Sequence, residues 1–272
     1  MLTFSVVTVC RNDAEALAST IRSIGAQTFS SFQYVIQDGG SSDHTEAVVR
    51  GFGDWVDVYR SEPDRGIYQA MNRAVQACIG KYTLFINAAD TLFAPDTLAE
   101  MATKLYPDDD VVSGVSIALE TGKPHPFRAP DRYWTGMTFD HQAAFIRTEL
   151  LKRHPHDETL RISGDYDVFC RLRLAGAKFR QVDQPICRKP YSTGVSASFI
   201  GRFRERFAIA MRHFGGSFPV EQALKGELIE HVSRQFGAAH LTARMEGMTV
   251  ADLLALHDEI DRITAKQRRP AG

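Results

Sequence analysis

The amino-acid sequence predicts an α/β protein, in which a mostly parallel sheet is flanked by helices and followed by a helical extension. Up to about Ser116, short runs rich in β-branched residues alternate with segments of helical periodicity, an order typical of parallel strands joined by crossover helices. Beyond Ser196 the apolar spacing is helical throughout. A chain of 272 residues that is 44% hydrophobic can bury a full core. We therefore expect a sheet domain over residues 1–195 and a helical extension over residues 196–272.

The individual elements follow from local patterns. The first helix, Ala14 to Gln27, has apolar residues at the spacing of one buried face, and a second helix after Gly66 repeats that spacing. Pro, Gly and aromatic residues break the pattern over 120–140, where we expect a loop with short strands. The predicted strands are Phe4 to Val9, Phe32 to Ile36, Val56 to Tyr59, Tyr82 to Ile86, Val111 to Val115, Ala143 to Ile146 and Lys178 to Val182; the later helices are Glu149 to Arg153, one from Gly164, Phe199 to Phe214, Val220 to Phe236 and Val250 to Ala265.

Composition argues against several classes of function. The net charge of -1 and the pI near 6.8 remove the strongest argument for a nucleic-acid partner. The four cysteines are far apart and form no C-x-x-C pair, which indicates neither a zinc site nor a disulfide framework. The N-terminus reads directly as a strand without the features of a secretory signal, and no run of about 18 apolar residues occurs. We expect a cytoplasmic protein, with peripheral contact at the inner face of the membrane as an alternative.

Polar residues gather where the predicted strands end. They occupy Thr8 to Asn12, Asp38 to Asp43, Asp64 to Gly66 and Asn87 to Asp90. The carboxyl ends of parallel strands meet at one edge of the sheet, which is where open α/β sheets bind ligands. The sequence therefore predicts a ligand site at this edge.

Five ordered motifs carry a resemblance to a known family. They are SVVTVCRN at 5–12, QDGGSSDHT at 37–45, SEPDRGIYQAMN at 61–72, GKYTLFIN at 80–87 and GDYD at 164–167. Together they resemble family 2 of the inverting glycosyltransferases, which have the GT-A fold, a Rossmann-like nucleotide-sugar-binding architecture. The resemblance covers roughly residues 3 to 190. Each motif alone is weak, whereas five in order are specific.

The resemblance implies a nucleoside diphosphate sugar as donor. Asp38 matches the aspartate that accepts a hydrogen bond from a nucleobase N–H, and Thr8 and Arg11 match positions that line the same pocket. Arg65 matches a cation near the nucleotide, where a guanidinium can pair with phosphate oxygens. Alternatively, Asp38 is a turn residue, and Arg65 forms a surface ion pair with neighbouring acids at Asp64 or Glu62, of little energetic weight.

The resemblance further implies a metal site with an unusual sequence. Relatives commonly carry two adjacent carboxylates at the end of the fourth strand, which hold Mn²⁺ or Mg²⁺ against the diphosphate. Here the segment is Asn87-Ala-Ala-Asp, so that Ala89 replaces the first carboxylate and Asp90 keeps the second. We assign Asp90 as the metal ligand, with Asn87, Ala89 and Asp64 among the donor-binding positions. In the alternative, Asp90 only caps the following helix.

Asp165 matches the catalytic base of the family. Inversion requires a base within hydrogen-bond reach of the acceptor hydroxyl. Asp167 is a competitor because it lies at the same helix start, and a carboxylate there can also act only as a cap. His141 belongs to a His-Gln pair that is frequent in bacterial relatives, and it is expected at the acceptor, the diphosphate or the metal, or else as a local hydrogen-bonding residue.

We expect a metal-assisted transferase of surface polysaccharide biosynthesis, with a UDP-sugar favoured as donor and a glycan or lipid-linked hydroxyl as acceptor. The rivals are a nucleotidyltransferase and a non-catalytic nucleotide-binding or interaction protein of the same fold, the latter motivated by Ala89. Phenylalanines and arginines alternate over Phe199 to Arg212. This pattern suits either an anionic membrane surface or docking on the catalytic domain. The last helix could form a homodimer contact.

Overall fold

The computed structural model describes residues 2–125, 130–190, 199–236 and 245–267. The chain divides into two compact units, Met1–Arg202 and Phe203–Gly272. The predicted domain boundary between residues 195 and 196 falls in the segment 191–198, outside the described residues.

The first unit contains an eight-stranded sheet in its described part, with the order β3-β2-β1-β4-β7-β6-β8-β5. The strands β1, β2, β3 and β4 are parallel, as are β6 and β8, whereas β7 runs antiparallel to β4 and β6, and β5 antiparallel to β8. The strands are β1 Phe4–Cys10, β2 Phe32–Asp38, β3 Val58–Ser61, β4 Tyr82–Phe85, β5 Thr91–Leu92, β6 Val111–Ala118, β7 Ala144–Arg147 and β8 Phe179–Lys189.

Helices cover both faces of this sheet. One core cluster joins β1 and β2 to α1, α2 and α4, and the other joins β1 and β4 to α3, α5 and α6. Successive residues of β1 alternate between them, Val6 in the first and Val7 in the second, because neighbouring strand residues point to opposite faces. The helices are α1 Ala14–Gly25, α2 Thr45–Gly51, α3 Ile67–Ala77, α4 Thr97–Thr103, α5 Thr148–Arg153 and α6 Gly164–Leu174.

The predicted fold class is confirmed, and the differences lie in pairing and length. The strand β7 separates β4 from β6, which sequence patterns did not indicate because the pairing is non-local. The strand β8 extends to Lys189, beyond the predicted end at Val182. Within the expected loop 120–140, the described residues contain a short 3₁₀ segment at Pro130–Thr135.

All four cysteines lie in the first unit and are buried as free thiols. Burial raises the pKa of the Cys10 and Cys170 thiols to about 12. The pKa values of Cys78 and Cys187 are also raised, again chiefly by burial.

The second unit is helical in its described part. It comprises most of α7 Phe199–Phe214, followed by α8 Val220–Phe236 and α9 Val250–Gln267. Arg206 pairs with Glu227 at 2.6 Å, and Arg204 pairs with Asp258 at 2.6 Å. Two arginines of the alternating pattern thus have acidic partners within this unit, while membrane and homodimer contact stay predictions. Among the described residues, no helix is long and apolar enough to cross a bilayer.

Candidate active site

The strand ends form a continuous edge in the first unit. Cys10 at the end of β1 is in register with Asp38 at the end of β2, which is in register with Ser61 at the end of β3. On the other side of β1, Val7 is in register with Phe85 at the end of β4. The sequence-predicted polar segments at these ends therefore lie side by side.

Asp38 is buried at this edge and is surrounded by donors of its own chain. Its carboxylate accepts hydrogen bonds from the Ser41 backbone N–H at 3.0 Å, the Ser41 and Ser61 hydroxyls at 2.6 Å each, and the Tyr59 hydroxyl at 3.2 Å. A carboxylate offers about four acceptor positions, so all of them are used. A nucleobase N–H would have to displace one of these hydroxyls, and the base-binding role of Asp38 stays a prediction.

Gly39 brings Arg11 and Asp64 to the same corner. A Cβ atom on Gly39 would lie 2.3 Å from Asp64 Oδ2 and 3.3 Å from Arg11 Cδ. Asp64 also accepts the Gly66 backbone N–H at 3.0 Å, which fixes the turn after β3. Both predicted donor-binding residues thus lie beside Gly39, next to Asp38, and a side chain at position 39 would displace the Asp64 carboxylate.

Thr8 lies beneath this corner, inside the sheet. Its side chain is fully buried, and its hydroxyl donates to the Ile86 carbonyl at 2.6 Å and lies 3.0 Å from the Tyr34 hydroxyl. Any influence of Thr8 on a bound base is therefore through the strands it ties together.

Arg65 is the most exposed of the predicted site residues with an ion pair. Its side chain is 81% exposed, and its guanidinium lies 3.3 Å from the Glu158 carboxylate. The sequence predicted Asp64 or Glu62 as the surface partner and did not indicate Glu158, which is distant along the chain. Glu158 also accepts from Asn72 at 3.1 Å and Gln69 at 2.8 Å. The hydrogen bond from Asn72 is the largest cause of a lowered pKa of Glu158, and together with that from Gln69 it outweighs the opposing effect of burial. Since exposed ion pairs contribute little, Arg65 can reorient towards an anion at low cost.

Asp90 closes the other side of the edge. It is buried, and burial raises the pKa of its carboxyl to about 6, although the Lys189 and His141 charges oppose this shift. Its carboxylate accepts the Asn87 backbone N–H at 3.3 Å, and the Thr20 hydroxyl donates to its carbonyl at 2.8 Å. The Asn87 Oδ1 atom is buried without a hydrogen-bond partner in the structure. An unsatisfied buried acceptor is costly, which is consistent with a ligand at this position.

Asp165 and His141 form a short pair. The distance from His141 Nδ1 to Asp165 Oδ2 is 2.6 Å, and the Tyr68 hydroxyl lies 3.3 Å from Asp165 Oδ1. Burial would raise the pKa of Asp165, but the charge and hydrogen bond of His141 reverse this and leave the pKa below its usual value. The His141 Nε2 atom is buried and has no hydrogen-bond partner in the structure. Asp165 is therefore ionised near neutral pH and able to accept a proton.

Asp167, the competitor, has a different environment. Arg171 lies one helical turn further along and contacts the Asp167 carboxylate at 2.8 Å. The Asp167 side chain is 3% exposed, whereas that of Asp165 is 15% exposed. A buried guanidinium-paired carboxylate is poorly placed to meet an acceptor, which favours Asp165.

His156 lies behind this pair and was not singled out from the sequence. It stacks on Tyr68 with ring centroids 5.3 Å apart, and Asn72 accepts its backbone N–H at 2.8 Å. The pKa of His156 is lowered to about 4, and burial is the largest cause. The charges of Asp165 and Asp167 oppose this shift, whereas the charges of His141 and Arg171 add to it.

This shift predicts an acid-dependent loss of stability. The unfolded His156 takes up a proton near its ordinary pKa of 6.5, whereas the folded one does not, so its full contribution is present above that pH and is lost as pH falls towards 4. From the shift we expect a loss of about 3 kcal/mol in the free energy of unfolding. The measurement is urea unfolding of wild type and His156→Phe between pH 7 and 4. The difference between the two proteins should change by this amount; a difference independent of pH would contradict the assignment.

The residues present can be compared with the Mn²⁺ or Mg²⁺ that the resemblance implies. Asp90 offers a carboxylate, and His141 in its neutral form offers a buried ring nitrogen without a partner. Both donor types suit Mn²⁺. In the part of the chain that is described, no group of three or more His, Cys, Asp or Glu side chains could hold a metal ion. The residues therefore fit a metal only together with oxygens of a bound diphosphate and water.

Known proteins share both the sequence and the fold. Residues 5–169 match the family model Glycosyl transferase family 2. The chain is similar to a PGL/p-HBAD biosynthesis glycosyltransferase of Mycobacterium tuberculosis, with 33% identity over 176 residues, covering 60% of this chain and 67% of that protein. It is also similar to an uncharacterized glycosyltransferase of the same organism, with 26% identity over 216 residues, covering 76% and 80% of the two chains.

Two solved structures have the same fold. The mannosyltransferase PcManGT from Pyrobaculum calidifontis, in complex with GDP-Man and Mn²⁺, has a TM-score of 0.64 at 20% identity and covers 94% of this chain and 79% of its own. S. aureus TarS 1-349 in complex with UDP-GlcNAc has a TM-score of 0.65 at 19% identity, covering 87% and 75%. The chain spans 44% of a longer TarS chain. The fold is thus GT-A, and because the family model matches more than half of its length, the chain belongs to glycosyl transferase family 2.

Proposed function

We propose that this protein transfers a sugar, with inversion, from a nucleoside diphosphate sugar to a hydroxyl of a glycan or lipid-linked acceptor in surface polysaccharide biosynthesis. The observation that carries the proposal is the contact of 2.6 Å between Asp165 and His141, in the same unit as the strand-end residues around Asp38 and Gly39. A UDP-sugar is the favoured donor, because a carboxylate at Asp38 suits the uracil N–H and because TarS was solved with UDP-GlcNAc.

The chemistry assigns one task to each part of the site. Asp165 accepts the proton of the acceptor hydroxyl, whose oxygen then bonds to the anomeric carbon of the donor. The bond from that carbon to the diphosphate breaks on the opposite face, and the nucleoside diphosphate leaves with the bonding electrons. Arg65 neutralises the diphosphate from the β3 side. Asp90 and His141 would hold Mn²⁺ or Mg²⁺, which supplies charge neutralisation to the leaving diphosphate when bound.

The decisive experiment is a thermal-shift series with UDP, GDP and dTDP, each with and without Mn²⁺, on wild type and Asp90→Asn. A ligand that binds only the folded state raises its melting temperature. We expect UDP to give the largest increase, and Asp90→Asn to lose the increment that Mn²⁺ adds. No response to any nucleotide would refute the proposal, and an unaltered Mn²⁺ increment in Asp90→Asn would refute the metal assignment.

The reaction products distinguish a glycosyltransferase from the two rival functions. A nucleotidyltransferase joins a nucleotide to a sugar phosphate and releases pyrophosphate, whereas a glycosyltransferase releases nucleoside diphosphate. A non-catalytic nucleotide-binding protein, which the missing carboxylate at Ala89 motivates, releases neither. Release of UDP from UDP-sugar in the presence of acceptor therefore supports transfer over both.

A further inference from the structure

A lysine at the end of β8 lies beside the one carboxylate that remains in the predicted metal motif. In the antiparallel pair of β5 and β8, Leu92 is opposite Cys187 and Thr91 is opposite Arg188. The same alignment, continued by one residue, sets Asp90 opposite Lys189. Directly opposed residues in an antiparallel pair are about 5 Å apart at Cα. The register of these strands therefore brings the lysine to the donor end of the sheet.

The Lys189 side chain is held within the protein. It is 12% exposed, and its Nζ atom lies 2.9 Å from Gln142 Oε1 and 3.8 Å from Asp140 Oδ1. Gln142 in turn contributes a side-chain hydrogen bond to Asp90. The ammonium is thus connected to Asp90 through Gln142, and the geometry keeps it next to the segment that ends β4.

The segment that follows β4 carries little negative charge. The segment Asn87-Ala-Ala-Asp has one carboxylate, that of Asp90. Lys189 adds a positive charge on the facing strand, which the Asp140 carboxylate at 3.8 Å offsets in part. A carboxylate pair attracts a divalent cation, which in turn attracts the diphosphate. An ammonium attracts the diphosphate directly, since phosphate oxygens accept charge-assisted hydrogen bonds from lysine.

We propose that the Lys189 ammonium binds the diphosphate of the donor, so that this protein holds nucleoside diphosphates without a divalent cation. The inference rests on the proposed function, because it presupposes a nucleoside diphosphate at this end of the sheet. Lys189 is then a binding residue of the donor site, and a metal held by Asp90 and His141 adds to an affinity that already exists.

The test compares UDP, GDP, dTDP and free uridine by calorimetric titration in EDTA and in Mn²⁺, with wild type, Lys189→Met and Lys178→Met. Methionine keeps the length of the lysine stem without its charge. Lys178 directly precedes the same strand, and it pairs with Asp108 on the surface, so it serves as the matched control. We expect wild type to bind UDP in EDTA and Lys189→Met to lose about tenfold in that affinity, the value of one charge-assisted hydrogen bond. Lys178→Met and the affinity for uridine should not change.

A second variant tests the exchange of charge in the opposite direction. Ala89 has φ of +75°, a left-handed conformation that aspartate adopts more readily than most residues. Ala89→Asp should therefore fold, restore the carboxylate pair and make UDP binding depend on Mn²⁺. This variant keeps the inference testable if Lys189→Met is unstable.

The outcomes separate the inference from the proposed function. If wild type binds UDP only with Mn²⁺, and Lys189→Met binds it with the same affinity, the role of Lys189 is overturned while the proposed function stands. Equal losses of uridine and UDP affinity in Lys189→Met also overturn it, because a structural role would not distinguish the diphosphate. No binding of any nucleoside diphosphate under either condition refutes the proposed function itself.

Discussion

Replacing Asp165 with asparagine should greatly slow sugar transfer while leaving the affinity for nucleoside diphosphates unchanged. The amide has nearly the same shape but cannot accept the acceptor proton, and positioned general bases contribute about 10²–10⁴-fold to rate. We expect kcat to decrease by a factor in that range. The measurement is the release of nucleoside diphosphate from the donor with acceptor present, together with nucleotide affinity measured by calorimetry.

Asp167→Asn is the matched comparison for this prediction. Asp167 pairs with Arg171 at 2.8 Å and is nearly fully buried, so its loss leaves a guanidinium without its carboxylate. Such a change should lower stability, while kcat stays close to that of wild type at a temperature where the variant is folded. Full turnover in Asp165→Asn, with turnover lost in Asp167→Asn, would assign the base to Asp167 instead.

Replacing Gly80 with alanine should destabilise the first unit by about 3 kcal/mol or more. A Cβ atom on Gly80 would lie 2.2 Å from the Phe4 carbonyl carbon and 2.4 Å from the Ser5 backbone nitrogen. Both are main-chain atoms of β1, so no side-chain rotation can relieve the overlap. Overpacking typically costs about 1–3 kcal/mol when side chains can adjust, and here the central strand itself has to move.

The matched control is Gly51→Ala at the end of α2. A Cβ atom there would meet nothing within 4 Å, and alanine is favoured over glycine in helices by about 1 kcal/mol. We expect unchanged or slightly increased stability in urea unfolding, against a large decrease for Gly80→Ala. Similar stabilities for the two variants would contradict the close approach of residue 80 to β1.

The fold was predictable from local patterns, and the connections between distant residues were not. Runs such as Phe4 to Val9 are specified by β-branched residues within the run. The insertion of β7 between β4 and β6 depends on pairing across the chain, which no local pattern records. The two-residue strand Thr91–Leu92 is too short to show a period, and without it the alignment of Asp90 with Lys189 could not be inferred.

The site residues show the same division. The strand-end positions of Asp38 and Asp90 followed from the motifs. Their surroundings did not, because Ser61 and Tyr59 reach Asp38 from the neighbouring strand, and Glu158 reaches Arg65 from far along the chain. A motif identifies which residue is present, whereas the hydrogen bonds that already occupy it depend on the tertiary fold.

The burial of every native cysteine has a practical consequence for labelling experiments on this protein. Alkylating reagents attack the thiolate, and a thiol whose pKa is raised by burial forms almost none at neutral pH. Because the pKa values of Cys10 and Cys170 are raised to about 12, the unmodified protein should react very slowly with maleimide dyes. A single cysteine introduced on an exposed turn would therefore report one chosen position, without removal of the native ones.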